Sequence, residues 1–114
     1  MKVILDTNFL IDCAKFRIDY LEQLSHHELF TLDAIIAELE KLINQKKAKH
    51  AKLALQILRQ KNVKIIKSKV SNVDSALIEL KGYGVATADK ELKKKLKGKK
   101  IFVIRQKKYI EEIK

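Results

Sequence analysis

The chain has 114 residues, of which 46% are hydrophobic, so it is long enough for one packed core and no more. Its formal net charge of +11 favours a polyanionic partner such as nucleic acid or an anionic membrane, or else a lysine-rich, well-solvated surface. A single cysteine, Cys13, excludes an internal disulfide, and the three histidines lack metal-ligand spacing. With no apolar run long enough to cross a membrane and no signal peptide predicted, we expect a cytoplasmic protein.

The first half of the chain begins with a strand at 2–6, whose continuous apolar run is typical of a parallel sheet covered on both faces. A polar turn leads into a helix, and helical periodicity returns at about 16–25. A short strand is predicted at 28–32, and Asp33 is a good N-cap for a helix that runs to about Gln45. A helix at 47–61 is apolar on two sides, which either an interior position or contact with a second copy of the chain explains.

The second half alternates between the two kinds of element. Strands are predicted at 63–66, 84–87 and 101–104, and helices at about 72–81 and 90–97, with Gly82 and Gly98 as stops. The strand at 101–104 is the last element predicted. This alternation predicts an α/β fold with a parallel sheet and right-handed crossovers.

Four acidic residues lie where a strand gives way to a helix: Asp6, Glu38, Asp74 and Asp89. In an open α/β sheet the functional crevice lies at the carboxyl ends of the strands. Carboxylates that converge there repel one another unless a cation joins them. The sequence therefore predicts a divalent-metal site, and hard carboxylate oxygens suit Mg²⁺ or Mn²⁺.

Each of these acids also has a structural explanation. Asp6 could cap the turn that follows it, Asp74 completes a capping box with Ser71, and Asp89 could cap the helix after it. Four such acids at four element junctions are nevertheless harder to dismiss than any one of them.

The helix after the second strand carries two acids, Glu38 and Glu40. They flank its apolar stripe about equally, so helical spacing does not choose between them.

Four segments, 3–10, 36–42, 73–78 and 85–92, resemble the PIN-domain family in their order and spacing. The tail at 92–108 is most similar to an archaeal branch related to the ribosome-biogenesis PIN nucleases, and VapC-type toxins are an alternative within the family. The resemblance implies a three-layer α/β/α sandwich with a central parallel sheet, formed by one PIN-like domain over residues 1–114.

By the same resemblance the protein is a Mg²⁺- or Mn²⁺-dependent endoribonuclease, with a role in rRNA processing or as a toxin. Its catalytic and metal-binding acids are Asp6, Glu38, Asp74 and Asp89. The family's helix acid precedes a leucine, which selects Glu38 over Glu40. Asn8 and Thr87 match polar positions that support the acidic pocket. Ala88 departs from the family, which often has asparagine there.

RNA is the expected partner, and a homodimer, an antitoxin or a ribosome-assembly protein are further candidates. Because lysine contacts phosphate as a point charge, backbone contacts should dominate over base recognition. Six lysines are expected to neutralise phosphates unless they are only solvated surface charges: Lys90, Lys93, Lys94, Lys99, Lys107 and Lys108. A non-catalytic RNA-binding module is the rival hypothesis, although such a module gains nothing from carboxylates that face phosphate.

Overall fold

The computed structural model describes residues 1–61, 63–68 and 72–113. The described residues form six strands and six helices, which in chain order are β1 (Lys2–Leu5), α1 (Thr7–Phe16), α2 (Tyr20–Gln23), β2 (Glu28–Leu32), α3 (Asp33–Asn44), α4 (Ala51–Gln60), β3 (Lys64–Ile66), α5 (Val73–Glu79), β4 (Tyr83–Ala86), α6 (Lys90–Lys95), β5 (Ile101–Arg105) and β6 (Tyr109–Ile113).

The sheet has the strand order β3-β2-β1-β4-β5-β6. Its first five strands are parallel, which confirms the predicted α/β class and central parallel sheet. From β1 the chain moves outwards to β2 and β3, and then returns to β4 on the other side of β1. This reversal makes the gap between β1 and β4 the topological switch point, where open α/β sheets bind their ligands.

Strand β6 is the element that the sequence did not predict, and it runs antiparallel to β5. Arg105 pairs with Tyr109 across a tight turn in which Gln106 and Lys107 have φ of 53° and 57°. This left-handed backbone matches the twist of a hairpin, although glycine or asparagine usually supplies it. The side-chain amide of Gln23 binds the β6 side of the turn, since it donates to the Lys108 carbonyl at 3.2 Å and accepts from the Ile110 N–H at 2.7 Å.

The core lies on both sides of β1, whose residues Val3, Ile4 and Leu5 are fully buried. Helix α4 packs against α1 and α3. It buries its Leu55–Leu58 side and leaves Leu53 44% exposed. Contact with a second copy of the chain over that exposed side remains a prediction.

Three helix boundaries differ from those predicted. The predicted helix at 16–25 is interrupted, because Arg17 adopts a left-handed conformation (φ 56°) that ends α1. The helix predicted from 47 begins at Ala51, after Lys46 has taken a similar conformation (φ 54°). Asp33 is the first residue of α3 rather than its N-cap, which is Leu32.

No helix in these described ranges has the length and apolarity that a bilayer crossing requires.

Candidate active site

Asp6 occupies the switch point at the end of β1. Its backbone N–H donates to the Ala86 carbonyl of β4 at 2.9 Å, and its side chain caps α1. One carboxylate oxygen, Oδ1, accepts from the Thr7 N–H at 2.8 Å, and the other, Oδ2, accepts from the Thr87 hydroxyl at 2.7 Å. Asp6 is therefore the helix cap that the sequence allowed, and as a residue it is only 5% exposed.

The charge on Asp6 is subject to opposing influences. Burial raises the pKa of Asp6 above its ordinary value, and the hydrogen bonds from Thr87 and Thr7 lower it. The negative charges of Glu38 and Asp74 raise that pKa further. These two carboxylates thus lie close enough to act on Asp6 through space, so the fold brings three of the four acids into one electrostatic neighbourhood.

Asp89 is joined to Asp6 through Thr87, which is completely buried. The Thr87 hydroxyl accepts from the Asp89 N–H at 3.1 Å while it donates to Asp6. Asp89 caps α6, because its Oδ1 accepts from the Glu91 and Leu92 N–H groups at 2.9 and 3.2 Å. The predicted capping role is present, and it uses only one of the two carboxylate oxygens.

Asp74 lies half-buried in the first turn of α5. The helix is capped by Asn72, whose side chain accepts from the Ser75 N–H at 3.0 Å. Ser71, the partner in the predicted capping box, lies outside the described residues. With Asn72 as the cap, the Asp74 carboxylate is not needed to begin the helix.

The two acids of α3 have different surroundings. Glu40 pairs with Arg59 of α4 at 3.3 Å, on the outside of the helix pair. Glu38 is exposed, and its charge acts on Asp6. This separation comes from tertiary structure and does not depend on any family resemblance.

None of the four carboxylates forms an ion pair with a lysine or arginine of residues 1–61, 63–68 and 72–113, although five ion pairs occur elsewhere. The buried Thr7 hydroxyl next to Asp6 also lacks a partner in the described part of the chain. An uncompensated set of hard oxygen donors beside an unpartnered hydroxyl fits a hydrated divalent cation. The described side chains do not, however, form a ready-made group of three or more ligands around one point.

A groove of about 440 Å³ adjoins this cluster and reaches Thr87 and Ala88. Three of the predicted lysines line it, Lys90, Lys93 and Lys107. The remaining lining comes mainly from α1 and the β5–β6 hairpin, and includes Asp12, Phe16 and Arg105.

The other three predicted lysines, Lys94, Lys99 and Lys108, do not line the groove. Lys94 lies 3.8 Å from Glu91 in an exposed pair. The Lys99 ammonium donates to the Leu80 carbonyl, and burial lowers the pKa of Lys99. It therefore ties the segment before β5 to the end of α5, and no local sequence pattern predicts this role.

Asn8 is exposed at the start of α1, and its side chain makes no hydrogen bond within the described residues. Sequence reasoning did not single out Asp12, Phe16 or Arg105 as site residues. The best signal for Arg105 was the basic run at 105–108 after a buried strand, which is a natural place for a hairpin turn.

Comparison with known proteins agrees with this architecture. The profile of the PIN like domain family matches residues 3–108, and the chain belongs to that family. Among solved structures, the chain is similar to the PIN domain endonuclease Utp24, with 27% sequence identity and a TM-score of 0.81. That match covers 97% of this chain and 90% of the other. No curated protein matches the sequence.

Proposed function

We propose that the protein is a metal-dependent endoribonuclease that hydrolyses RNA phosphodiester bonds at the Asp6 site. The observation that carries the proposal is the set of acids at the switch point, in which Glu38 and Asp74 act on the buried Asp6 and no basic side chain of the described residues neutralises them. The similarity to a PIN domain endonuclease supports the same reaction class.

Asp6 and Asp89 are proposed as the main ligands of Mg²⁺ or Mn²⁺, with Asp74 and Glu38 contributing. When bound, such a cation would polarise the phosphoryl group and offset the charge that develops during attack by water. Thr87 favours the ionised form of Asp6, because a hydroxyl donor stabilises the carboxylate that accepts from it and so lowers the pKa that burial raises. The exposed Asn8 is proposed to orient groups that enter beside Asp6.

RNA is the proposed substrate because a basic groove reaches Thr87, the residue whose hydroxyl joins Asp6 to Asp89. Lys90, Lys93 and Lys107 line that groove and would neutralise flanking phosphates. We further propose a role in rRNA processing, from the resemblance of the tail to the ribosome-biogenesis branch, with ribosome-assembly proteins as partners.

The test is cleavage of a labelled RNA by the purified protein with Mg²⁺, Mn²⁺ or EDTA. We expect metal-dependent cleavage that Asp6→Asn abolishes and that Glu38→Gln reduces strongly. Glu40→Gln is the matched control, since it lies on the same helix but pairs with Arg59, and it should retain full activity.

Two outcomes would count against the proposal. Cleavage that persists in EDTA or in Asp6→Asn would place the activity elsewhere. Salt-sensitive RNA binding without cleavage, unchanged by Asp6→Asn, would favour the non-catalytic binding module.

A further inference from the structure

The groove beside the acids holds one acidic side chain among several cations. Its lining contains Lys90, Lys93, Arg105 and Lys107, and Asp12 is its one acidic residue within the described chain. A surface built only to neutralise phosphates would exclude a carboxylate, since like charges repel. Asp12 therefore needs a different explanation from its neighbours.

Asp12 lies on α1, partly buried, and it forms no ion pair within the described residues. Burial raises the pKa of Asp12, while the positive charge of Lys15 one turn later lowers it. No described side chain donates a hydrogen bond to the Asp12 carboxylate, and Asp12 lines the same groove as Thr87.

Lys107, another cation of the groove, is positioned by specific contacts. Lys107 belongs to the left-handed turn of the β5–β6 hairpin. Its ammonium lies 5.6 Å from the centroid of the Phe16 ring, and Gln23 binds the backbone of Lys108 and Ile110 on the β6 side of the turn. The Lys107 cation therefore lies over a ring that is one helical turn along α1 from Asp12.

We infer that Asp12 accepts a hydrogen bond from the 2′-hydroxyl of a ribose in the groove, and that it makes the protein prefer RNA to DNA. This inference rests on the proposed function, because it assumes that a nucleic-acid strand occupies the groove. If the cations that line the groove take successive phosphates of the backbone, the sugar between those phosphates lies in the same groove as the carboxylate. Only ribose carries a hydroxyl donor at that position.

The physical basis of the preference is an unmade hydrogen bond. A DNA strand would cover Asp12 and remove its water without offering a donor, which leaves a charged acceptor unpaired. An RNA strand would replace that water with its 2′-hydroxyl. The difference acts on binding, so it is measurable without any cleavage.

The experiment compares the binding of two short fluorescent strands in EDTA, one of RNA and one of DNA, with the same bases and deoxyuridine in place of thymidine. We expect the protein to bind RNA about tenfold more tightly than DNA. Asp12→Ala should reduce that ratio to near one and also raise the affinity for DNA, because a repulsive charge has gone. Asp12→Asn keeps one acceptor oxygen and should retain part of the preference.

Glu79→Ala is the control, since it removes one exposed acid that does not line the groove. It should change the affinities for RNA and DNA by the same factor. Equal changes in Asp12→Ala, or no RNA preference in the unmodified protein, would overturn the inference. The cleavage assay judges the nuclease proposal separately: lost RNA preference with normal metal-dependent cleavage in Asp12→Ala supports both, and an intact preference without cleavage refutes only the nuclease.

Discussion

Replacement of Thr87 by valine tests how the site holds its charge. The hydroxyl of Thr87 donates to Asp6 and accepts from the Asp89 N–H, and the side chain is fully buried. Valine has nearly the same shape, so Thr87→Val removes both hydrogen bonds and creates little empty space. The main effect should therefore be electrostatic.

The expected loss of stability follows from these two bonds. A hydrogen bond to a charged group contributes about 1.5–3 kcal/mol, and an N–H left unpaired adds to the loss. We expect Thr87→Val to lower the free energy of unfolding by about 3 kcal/mol, which for a chain of this size corresponds to a fall in Tm of about 12 °C.

The same change should move the pH dependence of cleavage. Thr87 lowers the pKa of Asp6, so its removal raises that pKa further above the ordinary value. Because Asp6 must be ionised to bind a cation, the acidic limb of the pH–rate profile should shift to higher pH. The measurement is kcat/KM against pH for both proteins, at temperatures well below each Tm.

Thr31→Val is the matched control. Thr31 is also fully buried, but its hydroxyl donates to a neutral acceptor, the Leu5 carbonyl, at 3.1 Å. It should cost about 1 kcal/mol and leave the pH profile in place. If Thr87→Val behaves in the same way, with lower stability and an unmoved acidic limb, then Thr87 does not set the ionisation of Asp6.

Three further predictions follow from other contacts. Asp6→Asn should stabilise the metal-free protein at neutral pH by on the order of 1 kcal/mol, or about 4 °C in Tm. The sign follows from the raised pKa of Asp6. Protonated Asp6 contributes to the stability of the folded state below the unfolded-state pKa, and this contribution is lost as pH rises through the folded-state pKa. The stability gained by Asp6→Asn should therefore vanish in acid, and a lower Tm of this variant at neutral pH would contradict the prediction. Lys99→Met should lose about 1 kcal/mol through the missing bond to the Leu80 carbonyl, and its RNA affinity should fall no more than that of the exposed control Lys97→Met. Gln23→Ala should make the backbone amide hydrogen of Ile110 exchange with solvent roughly fivefold faster, because Gln23 accepts from that amide, while the amides of β1 are unaffected. Equal acceleration throughout the chain would instead indicate global destabilisation.

The parallel part of the fold was predictable because each strand is a short apolar run that a turn or cap ends. The hairpin was not, since Tyr109–Ile113 is largely exposed and two adjacent glutamates interrupt its alternation. Its position depends on pairing with β5 and on the amide of Gln23, a residue 85 positions away from Lys108. Such a contact leaves no local pattern for a sequence to show.

Among the acids, too, some features were predictable from the sequence and others were not. Asp6 and Asp89 were visible as polar residues directly after buried strands, and both turned out to cap a helix as well. Helical spacing alone could not distinguish Glu38 from Glu40, because the ion pair that occupies Glu40 comes from another helix. Helical periodicity describes one element at a time, so it could not contain that information.

The hydrogen bond between Asp6 and Thr87 joins residues 81 positions apart, and this separation has a consequence for folding. Contacts between residues so far apart in sequence close a large loop, so they form slowly. They are absent from partly folded states that contain only local contacts. The segment from β1 to α4 can acquire helices and the β1–β2 pair while Asp6 still lacks its partner. During synthesis that partner is made 81 residues after Asp6. An incomplete chain therefore has no assembled acid site, and recovery of the site during refolding should follow the pairing of β1 with β4 and not the earlier gain of helix.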